Sequence, residues 1–387
     1  MTAPCGLRVL HICSDYAKQH VYRELVSHLD ALEIEQFVYV PVRSSAELGV
    51  NQDDTLRRAR YRFAYVLRPW HRVLFRTKVR TVLRDLTDHV EFRGIDLAHA
   101  HFLYSDGAVA LRLNERFGLP YVVTVRNTDV NVFMRLRPDL SRICWRIIAN
   151  ARSVVFITPA YLDLVRARAP RAAQNALRHA ARVVPNGVAS YWIQHAPPTR
   201  PMRKDGEALK LLYVGDFSKN KNLVTTIRAA ERLNARAATT LTLVGGGGDG
   251  EADVDALLAG GAFPYVKRLP RVEDRETLAQ IYRAHDVFVM PSFRETFGVA
   301  YIEALSQGLP IVHTRGQGVD GYFEPGTVAE PADPSDVDSV QRAVSAVEAR
   351  LESVRAKCVE TARAFGWPFI ARTYADLYGA AVAGSDR

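Results

Sequence analysis

The feature that most constrains this fold is an alternation, kept up along the chain, between short apolar β-rich segments and segments of helical periodicity. The β-type segments are LRVLHIC, QFVYVPV, IDLAHAHF, YVVTVRN, SVVFIT and ARVVPNGV, then LKLLYVGDF, TTLTLVGGGG, YVKRLP, DVFVMPS and LPIVHT. Helical patterns such as VYRELVSHLDAL separate them. This order is typical of βα units on parallel sheets. We therefore predict an α/β protein with doubly wound parallel sheets.

One break in the alternation divides the chain. Residues 189–208, ASYWIQHAPPTRPMRKDGEA, are rich in proline and charge and show no apolar period. A chain of 387 residues is also too long for one ordinary core. We predict two Rossmann-like domains that face each other across a cleft, over residues 1–195 and 205–365. Residues 366–387 are predicted to form a helix that packs back on the first domain.

The end of the second half departs from the alternation. A single long helix is predicted from Ser335 to about Phe365, and the Gly366-Trp367-Pro368 sequence that follows is a helix breaker. Helical spacing resumes in FIARTYADLYGAAV. The terminal helix is therefore predicted to begin after Pro368.

The cysteines and the hydropathy of the chain indicate the cellular compartment in which we expect the protein. The four cysteines, Cys5, Cys13, Cys144 and Cys358, have no CxxC spacing, which argues against a disulfide framework or a zinc site. No apolar run approaches the roughly 20 residues that span a bilayer. The N-terminus MTAPCGLRVLHIC also lacks the pattern of a signal peptide. We expect a cytoplasmic protein with reduced cysteines.

The net charge of +9 comes from the first half of the chain. Its densest stretch is LRRARYRFAYVLRPWHRVLFRTKVRTVLRD, residues 56–85, in which arginines interleave with aromatic residues. This composition suits docking on an anionic membrane surface, while the alternative is a solvated helix face. Nucleic-acid binding is not expected, because no recognition motif accompanies the charge.

The stretch PSFRETFGVAYIEALSQGLPIV, residues 291–312, follows a predicted strand, and ligands of open α/β sheets bind at the carboxyl ends of strands. Gly298 allows close backbone approach at the start of a helix, where free N–H groups bind anions. Glu295 and Glu303 can each accept hydrogen bonds from sugar or ribose hydroxyls. Alternatively, Glu295 caps the helix and Glu303 is a solvated helix residue.

This stretch resembles the E-x7-E segment of the retaining glycosyltransferase family 4, whose members have the GT-B fold of two Rossmann-like domains. Further segments resemble the same family in the same order, and together they cover nearly the whole chain. They are HAHFLYSDGA (99–108), TVRNTDVN (124–131), FITPAY (156–161), VPNGV (184–188) and LLYVGDFSKNKNL (211–223).

The resemblance implies roles for the E-x7-E segment. Glu295 contacts hydroxyls of the donor sugar, and Thr296, Phe297, Gly298 and Val299 contact sugar and phosphate. The resemblance also implies that Glu303 binds the nucleotide ribose.

The glycine-to-lysine loop is implied to hold the donor diphosphate. It runs from Gly215 to Lys221, whose fixed cation would stabilise the charge that grows on the leaving diphosphate. The family often has arginine directly after this glycine, whereas this chain has Asp216. Lys219 either replaces that cation or lies on the surface.

The TVRNTDVN segment departs from the family because Arg126 stands where many members have histidine. Arginine cannot act as a general base, but it can bind phosphate. Asp129 is expected either to accept a proton from the acceptor hydroxyl, to orient Arg126, or to cap the next helix. With Glu295 and Lys221, these two residues are the candidate catalytic groups.

The acceptor site is expected in the first domain. Many relatives have paired glycines after the first strand, whereas this chain reads HICSDYAKQHVYREL, residues 11–25. Ser14, Tyr16 and Lys18 would line the site there, together with His101 and Asn127. We expect no metal and no organic cofactor, because the histidines lack paired metal spacing and the GGGGDG loop, 245–250, is expected to flank the base pocket.

Together these features predict a metal-independent, retaining glycosyltransferase. It would move a sugar from a nucleotide-diphosphate-sugar donor to a hydroxyl of a glycan or lipid-linked acceptor, in cell-surface or exopolysaccharide biosynthesis, in the cytoplasm or on the inner membrane face. The alternatives are a sugar-nucleotide epimerase of the same fold and a catalytically weak sugar-nucleotide-binding protein.

Overall fold

The structure, a computed structural model, describes residues 6–197, 203–204 and 206–384. Within these residues the chain divides into two compact units. The first contains residues 6–157, Tyr161–Gly187 and the terminal helix, and the second contains Thr158–Ala160 and Val188–Gly366.

The first unit is built on a parallel sheet whose seven described strands follow the order β3-β2-β1-β4-β5-β6-β7. The strands are β1 (Arg8–Ile12), β2 (Glu35–Pro41), β3 (Ala59–Ala64), β4 (Leu97–Ala100), β5 (Tyr121–Val125), β6 (Ser153–Phe156) and β7 (Ala181–Val183). The helices are α1 (His20–Asp30), α2 (Phe75–His89), α3 (Ser105–Phe117), α4 (Met134–Leu136), α5 (Ser141–Asn150), α6 (Pro159–Arg168) and α7 (Arg171–Ala180). The strand order reverses between β1 and β4, as in a doubly wound sheet.

Both faces of this sheet are covered because successive strand residues point to opposite sides. Leu10 on β1 packs in one cluster with Val79 of α2 and Ala108 of α3. Val9, one position earlier, packs on the other face with Leu25 of α1 and Tyr378 of the terminal helix.

The second unit has a parallel sheet whose six described strands follow the order β10-β9-β8-β11-β12-β13. The strands are β8 (Leu209–Gly215), β9 (Thr239–Gly245), β10 (Val266–Leu269), β11 (Val287–Val289), β12 (Ile311–Thr314) and β13 (Ala329–Ala332). The helices are α8 (Ser190–Gln194), α9 (Leu223–Asn234), α10 (Glu251–Ala259), α11 (Arg275–Arg283), α12 (Val299–Ser306), α13 (Val337–Glu348) and α14 (Leu351–Arg363), and α15 (Trp367–Ala383) returns to the first unit. The predicted class of two Rossmann-like, doubly wound domains is confirmed.

Two strands were missing from the prediction. β3 lies inside the basic stretch, where arginines alternate with Tyr61 and Phe63 in register with β2. The interpretation of the whole stretch as a helix face was therefore wrong, because part of it is a strand. β13 reads AEPA and lacks the β-branched residues that mark strands.

The helices near the C-terminus also differ from the prediction. The predicted long helix is two helices, α13 and α14, because Arg350 adopts a φ of −123° and interrupts the helical path. α15 begins at Trp367 rather than after Pro368. A proline in the first helical turn is tolerated, since the N–H that it lacks would have no partner within the helix.

The boundary between the units lies earlier than the predicted residue 195. α8 falls within the second unit, where Trp192 is buried and contacts the Tyr282 ring at 5.5 Å between centroids. The tryptophan therefore fixes α8 to that core.

The remaining sequence-level expectations concern cysteines and membrane spans. Cys13, Cys144 and Cys358 are buried and form no disulfide within the described residues, and Cys5 lies outside them. In the part of the chain that the structure describes, no helix is both long and apolar enough to cross a bilayer.

Candidate functional site

The turn between β11 and α12 carries the strongest candidate site of the second unit. Gly298 precedes α12 with a φ of 82°, and a side chain there would overlap the Tyr301 ring. Glycine is therefore required at this position. Among the described residues no side chain caps the start of α12, so its first N–H groups are available to an anion.

Lys221 and Glu295, two of the predicted site residues, form an ion pair beside this turn. Lys221 Nζ lies 2.7 Å from Glu295 Oε2, and the side chains are 19% and 11% exposed. Glu295 Oε1 accepts a hydrogen bond from the Thr296 N–H at 3.0 Å. The pair holds a lysine and a carboxylate in fixed positions at the edge where α/β sheets bind ligands.

Two asparagines hold the loops of this pair together. Asn220 donates to the Arg294 carbonyl at 2.8 Å and accepts from the Arg294 N–H at 3.1 Å. Asn222, at a φ of 59°, donates to the carbonyls of Pro291 and Pro334 at 3.0 and 2.7 Å. β8 and β11 are neighbours in the sheet, so the loops that follow them lie next to each other. The hydrogen bonds of Asn220 and Asn222 hold these two loops together.

Glu303 lies on α12, mostly buried. Its Oε2 accepts a hydrogen bond from the Tyr282 hydroxyl at 3.2 Å. Burial raises the pKa of Glu303 to about 7, and the bond with Tyr282 partly opposes this shift. The carboxyl group therefore changes charge near neutral pH, unlike the solvated glutamate of the alternative interpretation.

The glycine-to-lysine loop lies against a cavity of about 290 Å³ lined by Gly215, Asp216, Gly245, Gly246 and residues 271–272. Gly245 and Gly246 of the GGGGDG loop therefore lie beside this cavity. Its lining residues lie at or after the carboxyl ends of β8, β9 and β10, the edge at which open α/β sheets bind ligands.

Asp216 and Lys219 make contacts typical of structural residues. Asp216 Oδ1 accepts from the Ser218 N–H at 3.1 Å and from its hydroxyl at 2.6 Å, which forms a local turn. Lys219 is exposed and pairs with Asp253 at 3.6 Å. The surface interpretation of Lys219 is thus the one its contacts favour, and Lys221 is the loop's partly buried cation.

In the first unit, Arg126 is buried and held on three sides. Its guanidinium lies 4.7 Å above the Tyr22 ring, its Nε donates to the His101 carbonyl at 3.2 Å, and its Nη1 lies 3.5 Å from Asn186 Oδ1. None of these contacts neutralises its charge. Arg126 therefore remains a candidate for binding an anionic group.

The carboxylate of Asp129 is bound by backbone N–H groups of two loops. Its carboxylate accepts the N–H groups of Arg126 at 2.9 Å, Leu103 at 3.1 Å and Tyr104 at 3.2 Å. Burial raises the pKa of Asp129 to about 6, while these bonds lower it. None of these N–H groups belongs to the helix that begins at Asp129, so the bond to Arg126 supports the role of orienting Arg126 rather than that of capping the next helix. Asn127 lies nearby and accepts a bond from the Asn131 amide at 2.7 Å.

Two of the five predicted acceptor residues lie in the core. Tyr16 is 1% exposed and bonds to the Tyr61 hydroxyl at 3.2 Å, and His101 is 1% exposed. Both side chains are therefore buried, and their contact with the acceptor stays a prediction. Ser14 is half-buried, and Lys18 is exposed and pairs with Asp15 at 3.0 Å.

Three histidines of the first unit form a buried cluster that the spacing of the sequence did not reveal. His11, His99 and His101 each present one ring nitrogen within 4.8 Å of the others. His11 Nδ1 lies 3.0 Å from His101 Nε2, and both nitrogens of His99 have partners in Tyr378 and Thr124. Burial lowers the pKa of each ring, that of His11 to about 3. Within the cluster, His11 and His101 thus bond to each other, while His99 bonds separately to Tyr378 and Thr124.

Sequence reasoning missed Lys78 as a candidate site residue. It lies on the buried face of α2, is 9% exposed, and donates to the Ser105 hydroxyl at 2.6 Å. Burial lowers the pKa of Lys78, and nearby Asp106 opposes this shift. The available signal was the position of a lysine between Phe75 and Val79, on the apolar side of an amphipathic helix.

Two family profiles together match most of the chain. The profile described as Glycosyltransferase Family 4 matches residues 19–190, and the one described as Glycosyl transferases group 1 matches residues 208–348. A D-inositol 3-phosphate glycosyltransferase of Streptosporangium roseum is 29% identical over 74% of this chain and 70% of its own. D-inositol 3-phosphate glycosyltransferase 2 of Catenulispora acidiphila is 32% identical over 46% of this chain and only 44% of its own.

Solved structures show the same fold. Anabaena HepE, solved in complex with UDP, matches with a TM-score of 0.68 and 15% identity over 96% of this chain and 98% of its own. Its complex with UDP-glucose matches with a TM-score of 0.63. The ordered motifs, the two Rossmann-like units and these matches show that the chain belongs to the group 1 glycosyltransferases of family 4, with the GT-B fold.

Proposed function

We propose that the protein is a retaining, metal-independent glycosyltransferase that moves a sugar from a nucleotide-diphosphate sugar to a hydroxyl of an anionic acceptor. The second unit would bind the donor and the first the acceptor. The observation that carries this proposal is the fixed Lys221–Glu295 pair beside the uncapped start of α12. The lysine would receive the charge of the leaving diphosphate, and Glu295 would orient the sugar hydroxyls.

The donor class is supported by the neighbours as well as by the site. HepE is a structural relative that was solved with UDP and with UDP-glucose. In this chain the cavity beside Gly215 would take the base and ribose, and Glu303 would accept bonds from the ribose hydroxyls. No step needs a metal ion, because Lys221 and the N–H groups of α12 can supply the positive field.

An anionic acceptor is supported by cations at the carboxyl edge of the first sheet. Arg43 follows β2, and Lys78 bonds to Ser105, which follows β4. Burial lowers the pKa of both cations, and Arg72 adds to the effect at Arg43. Within the described ranges neither makes an ion pair with a carboxylate. Such charges favour a ligand that brings its own anion, as the phosphate in the relatives' printed substrate would.

A lipid-linked acceptor is supported by the surface around α2. Trp70, Val73 and Leu74 are 54%, 72% and 51% exposed. A groove of about 520 Å³, formed in part by α2, is lined by apolar residues, by Asp139 and by Arg76, Arg80, Arg112, Arg142 and Arg146. Exposed apolar side chains next to arginines suit peripheral docking on an anionic membrane, which would place the protein on the inner membrane face.

Donor hydrolysis and transfer provide the first test. A panel of nucleotide-diphosphate sugars is incubated with the wild type, Lys221→Ala and Lys219→Ala, with EDTA present. We expect Lys221→Ala to lower nucleotide release about 100-fold. The matched control Lys219→Ala, a change of the exposed lysine in the same loop, should alter it less than about twofold.

Equal turnover by all three proteins would overturn the donor site, and an inverted anomeric product by NMR would overturn retention. Conversion of the donor without acceptor would instead identify an epimerase. Tight binding of the donor without turnover would identify a binding protein.

Flotation with anionic liposomes tests the membrane surface. The variant Arg76→Ser/Arg80→Ser/Arg142→Ser should float less than wild type. A control with equal loss of charge, Arg116→Ser/Arg171→Ser/Arg178→Ser, should float normally. Equal flotation of both variants would rule out the α2 surface.

A further inference from the structure

A second concentration of arginines lies at the opposite edge of the first sheet from Lys78. A cavity of about 300 Å³ opens at the amino ends of β1, β2 and β3 and beside the loop before β4. Five arginines line it, against two glutamates, Glu35 and Glu91. The arginines are Arg8, Arg57, Arg58, Arg60 and Arg93.

The pairing of these arginines is incomplete. Arg8 lies 2.9 Å from Glu35, and Arg58 lies 3.3 Å from Glu33. Arg57, Arg60 and Arg93 are exposed and, in the described part of the chain, form no ion pair. Three guanidinium groups at one cavity thus have no carboxylate partner in the described part of the chain.

Gly94 leaves room in the wall of the cavity for the guanidinium group of Arg8. Gly94 has a φ of +88°, and a Cβ added there would lie 2.7 Å from Arg8 Nη1. Glycine therefore leaves the space that the Arg8 side chain occupies. Apolar residues Val9, Phe37 and Ile95 complete the lining, so the cavity is a concave, partly apolar pocket with a cationic rim.

We propose that this cavity is a second anion site, which binds a small phosphate-bearing molecule. Guanidinium groups bind phosphate oxygens through paired N–H bonds, and a phosphate dianion would give Arg57, Arg60 and Arg93 the anionic partner that they lack among the described residues. A volume of about 300 Å³ suits a small organic phosphate. Because it lies at the amino ends of the strands, this site is separate from the donor and acceptor sites proposed above.

Protection of individual arginines from phenylglyoxal, located by mass spectrometry of the full chain, tests the site. Inorganic pyrophosphate is the probe, and sodium chloride of equal ionic strength is the reference. At saturating pyrophosphate, modification of Arg57, Arg60 and Arg93 should slow about tenfold. The exposed control residues Arg116 and Arg171 should change less than about twofold. Equal slowing at all five positions would overturn the site.

Calorimetry supplies a second measurement that does not depend on sugar transfer. The variant Arg57→Ser/Arg60→Ser/Arg93→Ser should bind one equivalent of pyrophosphate fewer than wild type, with unchanged donor hydrolysis. The charge-matched variant Arg116→Ser/Arg171→Ser/Arg178→Ser should bind like wild type. An unchanged stoichiometry in the cavity variant, with circular dichroism showing it folded, would refute the proposal even if the glycosyltransferase assignment stands.

Discussion

Replacing Glu303 with glutamine should stabilise the protein above neutral pH while weakening its binding of nucleotide. Burial raises the pKa of this carboxyl group from 4.5 to about 7. Glutamine keeps the shape of the protonated acid and can still accept the bond from Tyr282. It cannot ionise, so the cost of a buried charge disappears.

The sign and size of the effect follow from the pKa shift. The folded protein holds the Glu303 proton more tightly than the unfolded chain does, so the stabilising contribution is complete below pH 4.5 and is lost as the pH rises through 7. The full shift corresponds to an upper bound of about 3 kcal/mol. Partial exposure and solvent screening reduce this to about 1–2 kcal/mol, or roughly 3–6 °C in melting temperature.

Melting curves at pH 5 and pH 8 measure this contribution. Glu303→Gln should melt within about 1 °C of wild type at pH 5 and roughly 3–6 °C higher at pH 8. Glu273→Gln changes a glutamate whose side chain is 83% exposed in the same unit and serves as the control. It should leave both melting temperatures unchanged.

Nucleotide affinity supplies the functional half of the prediction. If ribose hydroxyls donate to the ionised carboxylate, the UDP affinity of the wild type should rise by up to about tenfold from pH 6 to pH 8. Glu303→Gln should bind more weakly and show a smaller rise. A variant that melts lower than wild type by the same amount at both pH values would refute the reasoning, because Glu303 would then be an ionised structural residue.

Three other substitutions test separate parts of the structure. Asp129→Asn should lower the free energy of unfolding by about 2 kcal/mol, because at least one of three backbone N–H groups loses its acceptor, and thermal unfolding measures the loss. Asp216→Arg should tighten UDP binding about threefold to tenfold by calorimetry, since it adds a cation beside Gly215, whereas Asp216→Ser should gain less. Lys78→Met should raise the melting temperature, because it removes a buried cation. It should also lower the rate of sugar transfer to an anionic acceptor at least about tenfold. A fall in melting temperature would instead indicate that Lys78 is a purely structural residue.

The architecture could be predicted because apolar periodicity encodes it directly. β5 and β9, for example, follow the runs YVVTV and TTLTLVG, which are buried on both faces and rich in apolar and β-branched residues. β3 was not predicted because it is an edge strand of the sheet, half-exposed and rich in arginine. The Lys221–Glu295 pair could be anticipated because each residue follows a strand at the edge where such sheets bind ligands.

Burial of polar residues could not be predicted in the same way. Tyr16 and His101 also follow strands, yet the chain turns inward after each and places them in the core. A sequence pattern locates a residue along an element but does not show which way the next loop turns. For this reason the burial of Tyr16 and His101 could not be read from their positions after strands.

The basic residues of the stretch from 56 to 85 lie in several different structural environments. Strand alternation places Arg60 at the amino-edge cavity, whereas Arg62 pairs with Asp85 at 2.9 Å. Helical periodicity places Arg76 on the groove beside α2 and Lys78 inside, against Ser105. Removing charges from the whole stretch would therefore alter the proposed anion cavity, the Arg62–Asp85 ion pair, the groove beside α2 and the proposed acceptor site together. Charge-matched variants that change one environment at a time are needed to assign a function to each.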